Sequence, residues 1–438
     1  MSFDVRWLRI PALLAAAVVL PCCSGDAGKG DTVQIVTIRA SETTPGIQGD
    51  GASGQASFSA DGRIVAFSSS ATNLTPNDSN DLSDIFVKDR VTGVIENITN
   101  VGNINNLIMG MSAYPSLSAD GRYVGLLSAG MLQDIPASSS YVANPPVFRP
   151  YLYDRVLRTF VAVLTPGFQF MNSDTFDLCL SADGRYMAFS TNSTNMTGIN
   201  TQGQVQAYLC DFGPSHTTPV VTLISRASSS ATLGSNGGGF LGPGSISADG
   251  DLIVFDSAGT DILPAQDADT GMDVYLYQRS TGTRTLISIA SSGNSKQSFF
   301  SGISGDGTTI GYIYNDASLF PQPNFRSCQL YTVGTGLRRT VSDPALGAQA
   351  NTSVVLSGDG TRAVYGVGTF GQPQQYLFID GVGNQLLAQS TDGQTTTLST
   401  NAPAISSDGR WTSWSTTATN MISHDTNGVN DVFLRGPF

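Results

Sequence analysis

The chain has 438 residues and a formal net charge of −12 at pH 7, and only 13% of its residues are charged. An acidic chain of this kind is a poor partner for nucleic acid and for anionic lipid, because both are polyanions. It contains 48 glycines and few charges, a composition that favours many short strands joined by turns over long helices.

Residues 1–23 are predicted to be an export signal. Arg6 and Arg9 precede an apolar run from Ile10 to Leu20, which is about half of what a membrane-spanning helix needs. A cleaved signal therefore fits this segment better than a transmembrane anchor.

The end of this segment, Leu20-Pro21-Cys22-Cys23, resembles a bacterial lipobox. Cys23 fits the lipidated position better than Cys22, because proline is unfavourable just before the cleavage site. The alternative is an ordinary signal with two incidental cysteines. Residues 24–32 are predicted to be a flexible tether, and a triacylated cysteine suffices for stable anchoring. Ser24 resembles the signal for the outer membrane of a Gram-negative bacterium, facing either the periplasm or the medium. Membrane contact is expected through the lipid anchor alone.

Beyond the tether, the motif Ser-x-Asp-Gly occurs seven times between alternating apolar runs. Its aspartates are Asp61, Asp120, Asp183, Asp249, Asp306, Asp359 and Asp408. Asp-Gly flanked by such runs predicts a β-hairpin, because glycine accepts the positive φ of the turn. A variable loop, a third run such as "DIFVKDR" and a fourth run such as "VIENIT" follow each hairpin. Each copy therefore predicts a four-stranded antiparallel sheet.

Seven such sheets predict an all-β fold, a seven-bladed β-propeller in which neighbouring blades cover each other's faces. Residues 33–438 are predicted to form this single domain. The seventh copy ends at "DVFLRGPF" after three strands, whereas residues 33–41, "VQIVTIRAS", read like a fourth strand without a blade. We predict that this N-terminal strand completes the last blade and closes the ring.

The repeat "SADGR(Y/I)(V/M)AFS", with "ATNL" and "DIFVKDR" after it, resembles the WD40-like propeller repeats of the TolB-type family. The resemblance covers residues 33–438 and implies a propeller in a secreted bacterial protein. TolB itself is six-bladed and carries an α/β domain ahead of its propeller. The sequence shows neither feature, so we do not expect TolB's partners here.

Three loops between second and third strands share the pattern D-x-[DN]-x3-D. Their polar residues are Asp78, Asn80 and Asp84, Asp267, Asp269 and Asp273, and Asp425, Asn427 and Asp431. Oxygen ligands at alternate positions suit a hard cation, so Ca²⁺ is the one cofactor that the sequence suggests. The alternative, which the missing distal glutamate favours, is that these side chains hydrogen-bond their own loops as Asx-turns.

Signs of catalytic chemistry are sparse. His216 and His424 are the only histidines and fall in different blades, which disfavours a Ser-His hydrolase. Cys179 and Cys210 are predicted on the first and third strands of one blade, about 10 Å apart, and therefore as free buried thiols. Four arginines occupy one shared position after the Asp-Gly turn and are expected to be structural: Arg63, Arg122, Arg185 and Arg410.

The long insertions, residues 131–150, 228–244 and 315–327, are all predicted at one face of the disc, where recognition usually resides. Their aromatic residues are either contact anchors for a partner or pins that hold the loops to the blades. They are Tyr141, Phe148, Phe240, Phe320 and Phe325.

These features predict a non-enzymatic envelope lipoprotein that binds a protein or glycan through its long-loop face. The alternative is a propeller hydrolase or lyase acting on envelope carbohydrate. Carboxylates and arginines converging on the central channel would favour the enzyme, whereas an apolar or Ser/Thr-lined channel would favour the binding protein.

Overall fold

The computed structural model is an all-β protein, and none of the residues that it describes is helical. The compact unit runs from Ile35 to Phe438. The residues described are 34–44, 46–76, 78, 80–100, 110–132, 147–166, 169–267, 269–288, 297–315, 326–343, 353–369, 372–388 and 403–438.

Seven antiparallel sheets follow one another along the chain, which confirms the predicted seven-bladed β-propeller. Blade 1 consists of β2 (Ser53–Phe58), β3 (Ile64–Ser69), β4 (Asp84–Asp89) and β5 (Ile95–Asn97). Blade 2 consists of β6 (Ser112–Leu117), β7 (Tyr123–Ser128), β8 (Arg149–Asp154) and β9 (Thr159–Ala162). Blade 3 consists of β10 (Thr175–Leu180), β11 (Tyr186–Thr191), β12 (Gln206–Asp211) and β13 (Val220–Leu223). Blade 4 consists of β14 (Leu252–Ser257), β15 (Asp273–Gln278) and β16 (Thr283–Leu286).

Blade 5 consists of β17 (Gln297–Ile303), β18 (Thr309–Asn315), β19 (Arg326–Thr332) and β20 (Arg338–Thr340). Blade 6 consists of β21 (Val355–Leu356), β22 (Arg362–Thr369), β23 (Gln372–Ile379) and β24 (Gly383–Leu386). Blade 7 is β25 (Ala404–Ile405), β26 (Thr412–Thr416), β27 (Asp431–Gly436) and the N-terminal β1 (Val36–Arg39). In blade 4 the innermost segment pairs with β14 through two isolated bridges, Phe240 with Asp256 and Ile246 with Ile253, instead of a continuous ladder.

The ring closes as predicted. β1 pairs antiparallel with β27, from Val36 opposite Gly436 to Arg39 opposite Phe433. The hydrophobic core consists of seven clusters, each built from two neighbouring blades, and one of them joins Val432 and Leu434 of blade 7 to Phe67 of blade 1. Seven clusters for seven interfaces leave no blade without cover on either face.

The Ser-x-Asp-Gly motif builds the turn that starts every blade. In the first copy the Ser59 hydroxyl donates to Asp61 (2.7 Å), and the same carboxylate accepts the Arg63 N–H (2.9 Å). The corresponding serine donates to the aspartate in all seven copies, at 2.5–2.7 Å. Gly62 has φ +66°, and a Cβ there would lie 2.7 Å from the Trp411 ring of blade 7. The glycine thus serves both the turn and the close approach of the next blade.

The residue between the serine and the aspartate is small in every copy, because its backbone forms hydrogen bonds with the same position in the neighbouring blade. The Ala60 N–H donates to the Ala119 carbonyl, Ala119 to Ala182 and Ala182 to Ala248, each at 2.8 Å. The chain of bonds continues through blades 5 to 7 and returns from the Asp408 N–H to the Ala60 carbonyl (2.9 Å). This belt surrounds the central channel at the end of the disc that carries the first-to-second and third-to-fourth turns. We call that end the turn end and the opposite one the loop end.

Candidate functional site

The first strands of all seven blades line the central channel. Its wall consists mostly of small and apolar side chains with serines, such as Ala56, Ser116, Leu180, Ile303 and Val355, and encloses a cavity of about 220 Å³. Among the lining residues that the structure describes, Asp177 is the only charged one. The described channel wall is therefore mostly apolar with serines, and it carries one carboxyl group.

Three polar side chains stand near the loop end of this channel, each six residues before its Asp-Gly aspartate: Gln55, Tyr114 and Asp177. β-bulges interrupt the pairing of the first strand there, and Gln55 and Tyr114 have positive φ values of 51° and 54°. Bulges of this kind redirect side chains at the rims of closed sheets. The Gln55 Oε1 atom accepts the Tyr114 N–H (3.0 Å), which joins blades 1 and 2 at the mouth.

The Asp177 carboxyl group accepts no hydrogen bond and forms no ion pair with any residue that the structure describes. Burial in the channel wall raises its pKa to about 7. Burial, followed by the nearby Asp177 carboxylate, also raises the pKa of the Tyr114 hydroxyl. A carboxyl group without an internal partner is available to a ligand, and this one faces a mostly apolar channel.

Partly exposed apolar side chains lie at the loop end of the innermost strands. Met111, Phe176 and Phe240 are 49%, 42% and 38% exposed, and Tyr114 is 39% exposed. Phe240 is held by backbone hydrogen bonds in both directions with Asp256 (2.8 Å), while part of its ring faces solvent. Phe148 is half-buried against the core between blades 2 and 3, so it pins its loop. The remaining predicted anchors lie outside the described residues: Tyr141, Phe320 and Phe325.

Behind the mouth, the buried Asp256 of blade 4 joins the bulge of blade 5. It accepts the Phe300 N–H (2.6 Å) and the Ser301 hydroxyl (2.6 Å), and burial raises its pKa to about 7. The folded state thus keeps a proton that the unfolded chain, with an aspartate pKa near 4, has released between pH 4 and 7. Stability carried by this group is present below pH 4 and is lost as the pH rises through 7.

We therefore expect Asp256 alone to add on the order of 3 kcal/mol to the free energy of unfolding when the pH falls from 8 to 5, on top of what Asp177 and Asp273 add in the same direction. Urea unfolding at each pH measures it. Asp256→Asn, which keeps one acceptor for the Phe300 N–H and a polar contact to Ser301, should flatten part of this slope. A wild-type curve that is level between pH 8 and 5 would contradict the prediction.

The acidic loop of blade 7 is paired with a buried cation. Arg39, from β1, places its guanidinium 3.2 Å from the Asp425 carboxylate and 3.5 Å from that of Asp431, and all three side chains are almost fully buried. Ser41 donates to Asp431 (2.5 Å) and Asn427 to Asp431 (3.0 Å). Burial raises the pKa of Asp425, while the charge of Arg39 opposes that rise. Arg39 therefore supplies to these two carboxylates the positive charge that a calcium ion would otherwise bring.

In blade 1 an amide takes the equivalent place. The Asn97 side chain donates to both Asp78 and Asp84, each at 3.1 Å, and Thr99 donates to Asp84 (2.6 Å). Asn80 donates to Asp84 (3.1 Å) and accepts the Leu82 N–H (2.9 Å), which is the Asx-turn arrangement. Burial, and then the charge of Asp84, raise the pKa of Asp78.

Blade 4 has neither an arginine nor an asparagine at the equivalent position of its fourth strand. Arg39 and Asn97 pair with Phe433 and Phe86 on their third strands, and the equivalent pair here is Leu286 with Tyr275. A leucine side chain can neither donate a hydrogen bond nor bring a positive charge. The three carboxylates of this loop therefore face one another without a neighbouring cation among the described residues.

Carboxylate oxygens of Asp267, Asp269 and Asp273 lie within 4.8 Å of one another. The Tyr275 hydroxyl donates to Asp267, the Ser288 hydroxyl to Asp273 (2.5 Å) and the Gly271 N–H to Asp269 (2.6 Å). Burial, together with the charges of Asp267 and Asp269, raises the pKa of Asp273 to about 7. This cluster could hold a metal ion.

Three of the four arginines after the Asp-Gly turns pair with aspartates that end the third strands. Arg63, Arg122 and Arg185 lie 2.7–2.8 Å from carboxylates of Asp89, Asp154 and Asp211. His216 stacks on Tyr123, with ring centroids 4.2 Å apart. Cys179, Cys210 and Cys328 are free and buried, as expected for the first two. Residues that carry the predicted lipobox, Cys22 and Cys23, lie outside the described part of the chain.

No family model and no curated protein matches this sequence. Among solved structures, it is similar to an oligogalacturonate lyase from Vibrio parahaemolyticus (TM-score 0.53, 13% identity, covering 93% of this chain and 98% of that one). An oligogalacturonate lyase in complex with manganese (0.54, 13%, 93% and 96%) and the propeller domain of the Trilobed protease from Pyrococcus furiosus (0.50, 12%, 88% and 93%) are also similar. These likenesses establish the fold alone.

The chain is also similar to TolB from Acinetobacter baumannii, with a TM-score of 0.40 and 14% identity over 69% of its own length. It spans 58% of that TolB chain. Within the described residues, no helix is long and apolar enough to cross a membrane.

Proposed function

We propose that the chain is an exported, lipid-anchored envelope propeller that binds a neutral or positively charged group of a protein or glycan at the loop-end mouth of its channel. The carboxyl group of Asp177, which has no hydrogen-bond or ion-pair partner among the residues that the structure describes, carries this proposal. A ligand that donates a hydrogen bond or brings a positive charge would satisfy it, whereas an anionic ligand would meet repulsion.

The surroundings of Asp177 support binding over catalysis. Tyr114 and Phe176 offer partly exposed aromatic faces, and Gln55 offers an amide, which together suit a peptide side chain or a sugar ring. Hydrolysis needs a second acid or base near the first, and Asp177 is the only charged residue among the described lining residues.

The alternative remains a hydrolase or lyase acting on envelope carbohydrate. It draws support from the similar oligogalacturonate lyase in complex with manganese and from the carboxylate cluster of blade 4. We assign that cluster, Asp267, Asp269 and Asp273, to Ca²⁺ because its ligands are carboxylate oxygens on a loop.

The binding site is tested by placing the photo-crosslinking residue p-benzoylphenylalanine at Tyr114. With envelope extract, we expect crosslinks to a discrete partner, and about tenfold fewer when Asp177→Asn is added, because a charge-assisted contact is lost. The matched control places the same residue at Leu337, which is exposed at the turn end. Identical products from both positions would contradict the proposal. Release of sugar fragments from envelope polysaccharide, abolished by Asp177→Asn, would favour the enzyme.

Anchoring is tested separately by mass spectrometry of the mature N-terminus. An acylated Cys23 is the expected result. An unmodified N-terminus beyond Cys23 would restrict the proposal to an exported, soluble propeller.

A further inference from the structure

The most exposed apolar side chains of the propeller share one place in the fold. Among the described residues, seven large apolar side chains are 63–75% exposed: Val91, Val94, Val156, Leu157, Val220, Leu337 and Val382. Each lies in the connection from a third to a fourth strand or directly at its end, in blades 1, 2, 3, 5 and 6. They form a rim of apolar tips at the outer edge of the turn end, and we call them the turn rim.

The two ends of the disc differ in charge. By position in the strands, the described lysines and arginines fall in the turn-end half of the disc with four exceptions: Arg39, Arg149, Arg226 and Arg326. Four others point away from the turn end, because they donate to carbonyls just past the loop-side ends of neighbouring fourth strands: Lys88, Arg284, Arg338 and Arg435. Acidic residues occur at both ends, and those at the turn end include the partners of Arg63, Arg122, Arg185, Arg279 and Arg339 in ion pairs. The loop end therefore carries the acidic excess, whereas the turn end is close to neutral. Only the turn end can approach an anionic lipid surface without strong repulsion.

The chain also enters the propeller at the turn end. Val36, the first residue of β1, pairs with Gly436 at the turn end of β27, and Ile35 and Val36 are 46% and 43% exposed. If Cys23 is acylated, as proposed above, the twelve residue steps from Cys23 to Ile35 span at most about 40 Å. The tether would then leave the propeller at the end where the turn rim projects.

We propose that the turn rim rests on the lipid surface to which the chain is anchored, so that the channel mouth faces away from the membrane. This inference depends on the proposed anchor for its orientation and adds a second membrane contact to it. Single valines and leucines spaced around a rim, with paired charges between them, fit the headgroup layer better than a protein partner. A protein interface would need one continuous apolar patch.

Fluorescence quenching in vesicles tests this orientation. The mature chain is attached to vesicles of phosphatidylethanolamine and phosphatidylglycerol, either through its acylated Cys23 or through an N-terminal histidine tag on nickel-chelating lipid. An environment-sensitive NBD label is placed at Val156→Cys, at Val382→Cys or, as the control at the loop end, at Ala231→Cys. The native thiols Cys179, Cys210 and Cys328 are buried, and burial raises their pKa, so they should not react. The histidine-tagged chain carries Cys23→Ser, so that the introduced cysteine alone takes the label.

We expect spin-labelled lipid to quench the two rim labels at least threefold more than the label at position 231. Equal quenching at all three positions would overturn the proposal. The nickel tether provides an anchor even without acylation, so failure of the lipidation proposal and failure of the rim proposal are distinguishable.

A second measurement does not depend on the tether. Flotation of the unacylated mature chain with the same vesicles should fall about fivefold or more for Val156→Asp combined with Leu157→Asp, and should not change for Ala231→Asp. Unchanged thermal melting of each variant confirms folding. Equal flotation of the rim variant and wild type would also overturn the proposal.

Discussion

Deletion of residues 33–41 is expected to abolish the cooperative folding of the entire propeller. The deletion removes β1, and with it the pairing with β27 and the Ala40 hydrogen bond to Val432 (2.8 Å). Each lost backbone bond costs about 1 kcal/mol, and the loss of Arg39 leaves two buried carboxylates without their cation, which costs about 3–5 kcal/mol more. That sum approaches the whole net stability of a typical domain, about 5–15 kcal/mol.

Urea unfolding followed by circular dichroism measures this effect. The matched control deletes residues 24–32 instead, which removes the predicted tether and keeps β1. The control should unfold at the wild-type urea concentration. A truncated chain lacking β1 that unfolds with the same midpoint and slope as wild type would show that ring closure contributes little.

The success of the ring-closure prediction has a physical origin. Each blade repeats the hydrogen bonds of Ser59, Asp61 and Gly62 within a few residues, so local sequence determines the hairpin and its glycine. Counting these turns predicted seven blades, and the missing strand of the last blade had one matching segment. Such features need no knowledge of distant contacts.

The channel mouth could not be found in the same way. Gln55, Tyr114 and Asp177 share one position in the repeat, six residues before the turn, but a bulge interrupts the regular alternation of the strand there. Alternation therefore does not reveal which way these side chains face. Alignment of the seven copies would have provided a signal, because this position varies in chemistry while the turn beside it does not.

The acidic loops show a second limit. The pattern D-x-[DN]-x3-D is the same in blades 1, 4 and 7, but the residue that decides its electrostatics comes from the fourth strand. In blade 7 this residue is Arg39, which lies 386 positions before Asp425 in the sequence. A motif within one loop cannot reveal a cation contributed by the other end of the chain. The calcium prediction at each loop remains open to experiment, and the structure makes the three loops unequal.

Replacing Arg39 by leucine is expected to lower the free energy of unfolding by about 3–5 kcal/mol in the presence of chelator, because Asp425 and Asp431 stay buried without a counterion. The variant gives blade 7 the leucine that blade 4 has at position 286. Arg39→Lys is the control, since it keeps the positive charge, and it should lose less stability. Urea unfolding with chelator, with Mg²⁺ and with Ca²⁺ provides the measurement. A loss below about 1 kcal/mol in chelator would mean that the pair is not the electrostatic centre of this blade.

The reciprocal change, Leu286→Arg, places a guanidinium near Asp267 and Asp273. If the cluster of blade 4 binds Ca²⁺, calcium at 100 times its dissociation constant should stabilise the wild-type protein by about 2.7 kcal/mol, and Leu286→Arg should abolish that gain. Arg39→Leu should instead acquire a second calcium-dependent gain, because the ion could then replace the missing arginine. The same exchange made in opposite directions therefore moves calcium sensitivity in opposite directions. If the wild type and both variants unfold identically in chelator and in Ca²⁺, the carboxylates serve only their own loops, as the bond from the Gly271 N–H to Asp269 already does.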